Sequence, residues 1–215
     1  MCGRYTLTAG ADELVETFDV PALSFDLRPR YNMAPGQDCP IVAADRKGRR
    51  VGLMRWGFEP HGPASGKGGW INARAESVMR RDSFRGAFHR RRCLVPADGF
   101  YEWRREGELK VPYWFHRPGG GLFSFAGIWE GRTFAILTTD ANDDVRTVHD
   151  RMPVLVAPVD RSAWLGRETA VGELTRILAP SPAGTFTAHE VSRRVNRPDQ
   201  YDPSLVEPVR GDAVH

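Results

Sequence analysis

Lysine is almost missing from this chain. Of 30 basic residues only Lys47, Lys67 and Lys110 are lysines and the rest are arginines. A genomic preference for arginine codons explains this more simply than function does, but it has a chemical consequence. In any amine chemistry on a carbonyl, few lysines compete with the N-terminal amine, which titrates near ~8 against ~10.4 for lysine. Cysteine is also scarce: Cys2, Cys39 and Cys93 are odd in number and far apart, which fits neither a disulfide framework nor zinc-ligand spacing. The six histidines show no ligand spacing either, so free thiols, no metal and no cofactor are expected. No apolar run approaches the ~20 residues that span a bilayer. No basic segment followed by an apolar one opens the chain, so a cytoplasmic protein with no membrane contact is expected. Repeats and low-complexity tracts are absent.

What remains is an ordinary globular composition, 41% hydrophobic and 27% charged over 215 residues, read as one domain spanning 1–215. A net charge of +3 is too small to argue nucleic-acid binding by itself. Its distribution says more: from Arg74 to Arg92 seven arginines (74, 80, 81, 85, 90, 91, 92) face only Glu76 and Asp82. That cluster reads either as a phosphate surface or as a solvated helix face.

Residues 2–8 alternate as a strand, with Cys2, Arg4 and Thr6 on one face and Gly3, Tyr5 and Leu7 on the other. A helix is predicted over ADELVETFDV, then a turn-rich YNMAPGQDCP, a strand near 40–44 and another into LMRWGF. EPHGPASGKGGW reads as a loop. WINARAES is extended to Arg74 and then helical through about Phe88. CLVPADGFYEWRR, KVPYWFHR, LFSFAGIWE and RTFAILTTD read as a β meander. A short helix near 141–148, a strand PVLVA, helices near 161–165 and 171–178 and a strand near 185–191 complete the chain. The pattern predicts an α+β fold with a curled, barrel-like antiparallel sheet and flanking helices.

Several polar residues fall where strands would bury them. Asn72 and Arg74 share one face of WINAR. Glu102 sits within the aromatic run GFYEW, where burial would raise its pKa and make it a general acid, unless one of the many arginines pairs with it. His149 precedes a proline-containing turn, a place for functional and structural histidines alike. Trp56 and Trp70 stack on bases or anchor the loop, and core packing is the simpler reading of either. Asn32 and Pro35 face a ligand or simply turn the chain. Cys2 follows Met1 directly, so trimming of Met1 would leave a free amine beside a thiol; the alternative is a small residue that starts a strand.

MCGR, YNMAPGQ, RWGF, NARAES, RCLVPADGFYEW, HDRMP and VSRRVN occur in this order. As a set they closely resemble the SOS response-associated peptidase family from Cys2 to about Asn196, with a C-terminal tail beyond. WGFEP departs from the family's usual WGLIP-like stretch by placing the charged Glu59 there. The resemblance implies a sensor of abasic sites in single-stranded DNA, or at single-strand/duplex junctions, that bonds covalently to the lesion and shields it from strand cleavage. On that likeness Cys2 is the nucleophile once Met1 is removed, by an aminopeptidase or by the protein itself. Glu102 is the acid–base group, His149 assists Schiff-base formation, and Asn72 orients the terminus. Arg4, Arg74 and Arg151 resemble phosphate clamps, and Trp56 with the Asn32–Pro35 turn holds the flanking DNA. A monomer suffices for this chemistry, and the resemblance implies action at the nucleoid.

Two other functions stay open at this point. One is a thiol peptidase acting on other proteins, with Cys2, His149 and Asn72 as its set, and a weak DNA lyase is a close variant of the covalent chemistry. The other is a non-covalent single-stranded DNA-binding module.

Overall fold

The computed structural model describes residues 2–60 and 69–209. β1 (Arg4–Leu7), α1 (Ala11–Phe18), β2 (Arg30–Met33), β3 (Asp38–Asp45) and β4 (Gly48–Trp56) come first. They are followed by β5 (Asn72–Arg74), α2 (Ala75–Val78), α3 (Asp82–Arg90), β6 (Arg92–Ala97), β7 (Gly99–Glu106), β8 (Leu109–His116), β9 (Phe123–Glu130) and β10 (Thr133–Asp140). α4 (Asp143–Arg146), β11 (Arg151–Pro153), α5 (Arg161–Leu165), α6 (Val171–Ile177) and β12 (Thr187–Glu190) complete the regular elements. Most of the loop expected over 59–70 falls on 61–68, outside the described residues.

The strands form two sheets. One is five-stranded, in the order β12-β8-β7-β1-β2. The other closes into a ring: β3 pairs β4, β4 pairs β10, β10 pairs β9, β9 pairs β6, and β6 returns to β3 through Val42 and Leu94. The α+β expectation with a curled sheet holds, but the sheet is ring-like rather than a true barrel, and it is not antiparallel throughout. β10 runs parallel to β4 at Thr133 and Phe134 and parallel to β5 from Ile136 to Thr138. The chain leaves β10's edge at Trp56 and returns to the same edge at Asn72. The Trp56 indole N–H, which donates to the Ile71 carbonyl at 2.8 Å, ties exit to return.

Aromatic side chains fill the interior of the ring. Tyr5 meets Trp56 edge-on at 5.3 Å and Phe125 at 5.9 Å, and Trp56 stacks on Phe134 at 6.3 Å. In the other sheet the Trp114 indole lies so close over Gly99 that a Cβ there would sit 2.2 Å from its nitrogen.

Four local expectations change. The helix drawn from 75 to 88 is two helices, because the buried positions are Ala75 and Val78, then Phe84, Ala87 and Phe88. The six-residue step from 78 to 84 fits no single helical stripe, and arginines occupy 81 and 85, where a continuous stripe would fall. CLVPADGFYEWRR breaks at Asp98, whose carboxylate accepts from the Thr8 hydroxyl at 2.6 Å while its N–H bonds the Thr6 carbonyl at 3.0 Å. β6 therefore joins the ring and β7 the other sheet. YNM is strand β2 rather than turn. PVLVA is no regular strand: Val154 N–H bonds Leu137 on β10, and Val156 N–H bonds Ser124 on β9.

The segment after Asn196 packs back on the sheet. The Asn32 amide, 1% exposed on β2, donates to the carbonyls of Val195, Arg197 and Gln200 at 3.3, 3.0 and 3.2 Å. Replacing Asn32 with Ala is expected to cost about 1–3 kcal/mol by stranding buried carbonyls. Hydrogen exchange should then quicken at Val195 and Arg197 while the ring strands stay protected, and equal loosening of the ring would refute this local role.

Candidate functional site

Where the two sheets meet, four elements bring Cys2, Asn72, Glu102 and His149 together. β1 pairs with β7, Arg4 opposite Tyr101, so the residues just before β1 run alongside Glu102. Cys2 is fully buried; its thiol donates to the Arg4 carbonyl at 3.7 Å. β5 brings in Asn72, whose amide donates to the Cys2 carbonyl at 2.9 Å. Burial, and then the nearby Glu102 carboxylate, hold the Cys2 thiol well above the usual thiol range.

Glu102 is 1% exposed, and burial pushes its pKa up from 4.5 to about 7. Its Oε2 lies 3.9 Å from His149 Nε2. The Arg151 N–H donates to His149 Nδ1 at 2.9 Å, and the Asp150 carboxylate lies 2.9 Å from the same nitrogen. Burial also lowers the His149 pKa. The site thus holds a carboxyl group near half-protonation at neutral pH beside an uncharged imidazole. Beside them opens a cavity of about 590 Å³, lined by Glu102, Trp103, Arg105, Lys110, Val148, His149, Asp150 and Asn196. Among the described residues no group of His, Cys, Asp and Glu is arranged to hold a metal ion.

Arg151 fastens this corner. Its guanidinium reaches Glu76 at 2.7 and 3.0 Å, Asp140 at 2.6 Å and the Thr138 carbonyl at 2.7 Å, joining α2, β10 and β11. Expected against a DNA phosphate, Arg151 is 7% exposed and paired with Glu76 and Asp140. Trp56, fully buried in the ring, and Asn32, spent on the C-terminal carbonyls, also have interior roles. Arg74 and Pro35 are exposed, and Arg4, partly buried, donates to the Asn196 carbonyl at 3.4 Å.

The arginine cluster divides as well. Arg74, Arg80, Arg81, Arg85 and Arg90 are exposed, Arg91 pairs with Glu130, and Arg92 is buried against the carbonyls of Phe88, His89, Trp164 and Gly166. Glu59, the departure in WGFEP, pairs with Arg55 at 2.5 Å. Trp103, Arg105 and Lys110 escaped the sequence reading. Alternation along GFYEWRR puts Trp103 and Arg105 on one face, but only the β7–β8 register reveals Lys110 beside them.

A buried carboxyl whose pKa is raised stabilises the fold fully below its unfolded value. That stability is lost as pH climbs through the folded value. Between the ordinary 4.5 and about 7, native Glu102 binds a proton that the unfolded chain has released. Relative to Glu102→Gln, the wild-type chain is expected to lose stability as pH rises, at up to about 1.4 kcal/mol per pH unit. Urea unfolding of both proteins at pH 5 and pH 8 reads this, and a gap independent of pH would refute the shift.

Comparison with known proteins fits this arrangement. Residues 1–198 match the SOS response associated peptidase (SRAP) family. The abasic site processing protein YoaM of Bacillus subtilis is 34% identical over 222 residues, covering 96% of this chain and 98% of that protein. YedK of Escherichia coli, also named an abasic site processing protein, is 28% identical and covers 97% and 100%. Among solved structures, a phage-related protein from Bordetella bronchiseptica superimposes with a TM-score of 0.73 at 30% identity, covering 89% of this chain and 95% of that one. A protein from Bacteroides thetaiotaomicron shares the fold, with a TM-score of 0.83 at 24% identity over 97% of this chain and 100% of its own. The chain belongs to the SOS response associated peptidase family.

Proposed function

We propose that this chain captures abasic sites in single-stranded DNA by a covalent bond through Cys2, after Met1 is removed. The observation that carries this reading is the convergence of the Asn72 amide on the Cys2 carbonyl with Glu102 and His149 close by. The names of the relatives point to the same lesion.

An abasic deoxyribose opens to an aldehyde. The Cys2 amine adds to C1′, and the resulting carbinolamine needs a proton on its departing hydroxyl, which Glu102, with a pKa near 7, supplies. Water leaves and a Schiff base remains. The Cys2 sulfur then attacks the same carbon and gives up its proton, closing a five-membered thiazolidine, so aldehyde and aminothiol give ring plus one water. His149 Nε2, facing Glu102, keeps the carboxyl oriented and helps return its proton, while Asn72 holds the terminus still.

The same steps account for a minor strand-cleaving activity. A Schiff base that is not closed by sulfur acidifies C2′ and permits β-elimination. A peptidase acting on other proteins is the less supported reading. Asn72 engages the Cys2 carbonyl rather than an imidazole, and the thiol is buried and hard to ionise.

Intact mass after incubation with a single-stranded oligonucleotide bearing one abasic site tests the proposal. The expected product lacks Met1, gains the oligonucleotide's mass less one water, and survives denaturation. Cys2→Ala should give no such adduct, yet form a borohydride-trappable Schiff base and more cleaved strand. Glu102→Gln should slow capture by about 10²–10⁴. A chain freed of Met1 that forms no adduct would overturn covalent capture.

A further inference from the structure

The cavity beside Glu102 and His149 has a basic lip that the capture chemistry leaves unused. Arg105 on β7 and Lys110 on β8 are direct cross-strand partners, and both line this cavity. Directly opposed residues of an antiparallel ladder leave from the same face with Cβ atoms ~4.5–5.5 Å apart, and like charges so placed destabilise the pair. Both side chains are exposed, so packing does not repay that repulsion. Of the acids nearby, Glu106 is engaged by Arg104 at 2.7 Å, Glu108 is exposed in the turn, and Asp150 lines the same cavity on the His149 side.

Such a cation pair at a cavity mouth fits a site whose counter-charge arrives with the ligand. Its position suits a DNA strand. Arg105 is three residues from Glu102, ~10 Å along the strand and on the opposite face of β7, yet both line the one cavity, while Arg151 is occupied by Glu76 and Asp140. Resting on the abasic-site reading above, we propose that Arg105 and Lys110 together clasp one backbone phosphate next to the sugar seated at Glu102. Arginine supplies a planar fork and lysine a point charge. The contact reads no base, which a lesion sensor requires.

The test uses the full-length protein in two assays. The first follows adduct formation against the concentration of an abasic single-stranded oligonucleotide. The second follows anisotropy of the undamaged oligonucleotide over a range of salt concentrations. Compared with wild type, R105Q/K110Q is expected to raise the half-saturating DNA concentration on the order of tenfold and leave the saturating rate unchanged. The slope of log affinity against log salt should fall by about 0.7, one single-strand phosphate. R46Q/R167Q, which removes the same charge from a separate cavity that Arg46 and Arg167 line beside the β3–β4 turn and the end of α5, should change neither. Indistinguishable behaviour of the two double variants would overturn the clamp, as would a lower saturating rate at unchanged half-saturation. If the wild-type protein forms no adduct, covalent capture falls while the anisotropy comparison still decides the clamp.

Discussion

Strand β10 is the constraint on which the site hangs. Both of its edges are shared: β4 and then β5 along one, β9 and then β11 along the other. The first half of the strand closes the ring, and the second half carries site residues on both sides. β5 delivers Asn72, and β11 begins at Arg151, whose N–H bonds His149. The five-stranded sheet brings Cys2 and Glu102 from the other direction. No single element holds all four residues, and Arg151, bound to Glu76, Asp140 and the Thr138 carbonyl, ties α2, β10 and β11 together.

Burial acts with opposite sign on the site's two acid–base groups. Desolvation disfavours whichever form is charged, so it raises Glu102 and lowers His149. The carboxyl, raised to about 7, thereby lies above an imidazole lowered from 6.5, the reverse of their ordinary order. The chain's excess of arginine does not cancel this effect. Arg92 is bound to carbonyls and Arg151 to carboxylates.

Much of this arrangement is legible in the sequence, because it lies in local pattern. Alternation puts Asn72 apart from Ala73, and an acid inside an aromatic strand announces Glu102. Long-range register is less legible. Nothing near Asn32 says that its amide will meet carbonyls more than 160 residues away, and nothing in RWGF says that Trp56 turns into the ring. The same holds for Arg151: nothing in HDRMP says that Glu76 and Asp140 will meet its guanidinium. The break in the 75–88 helix was available from the spacing of its apolar residues.

The buried thiol at first looks wrong for the sulfur step, since burial keeps Cys2 protonated. The order of events resolves this. A resting thiolate beside Glu102 would be exposed to oxidation and repelled by the carboxylate. In the proposed reaction sulfur is needed only after the amine has become a Schiff base, which is cationic when protonated. A positive charge one bond from the Cys2 α-carbon, within a low dielectric, favours thiolate strongly. On that proposal the nucleophile would ionise at the stage that consumes it, and the electrophile that it attacks would be the group that ionises it.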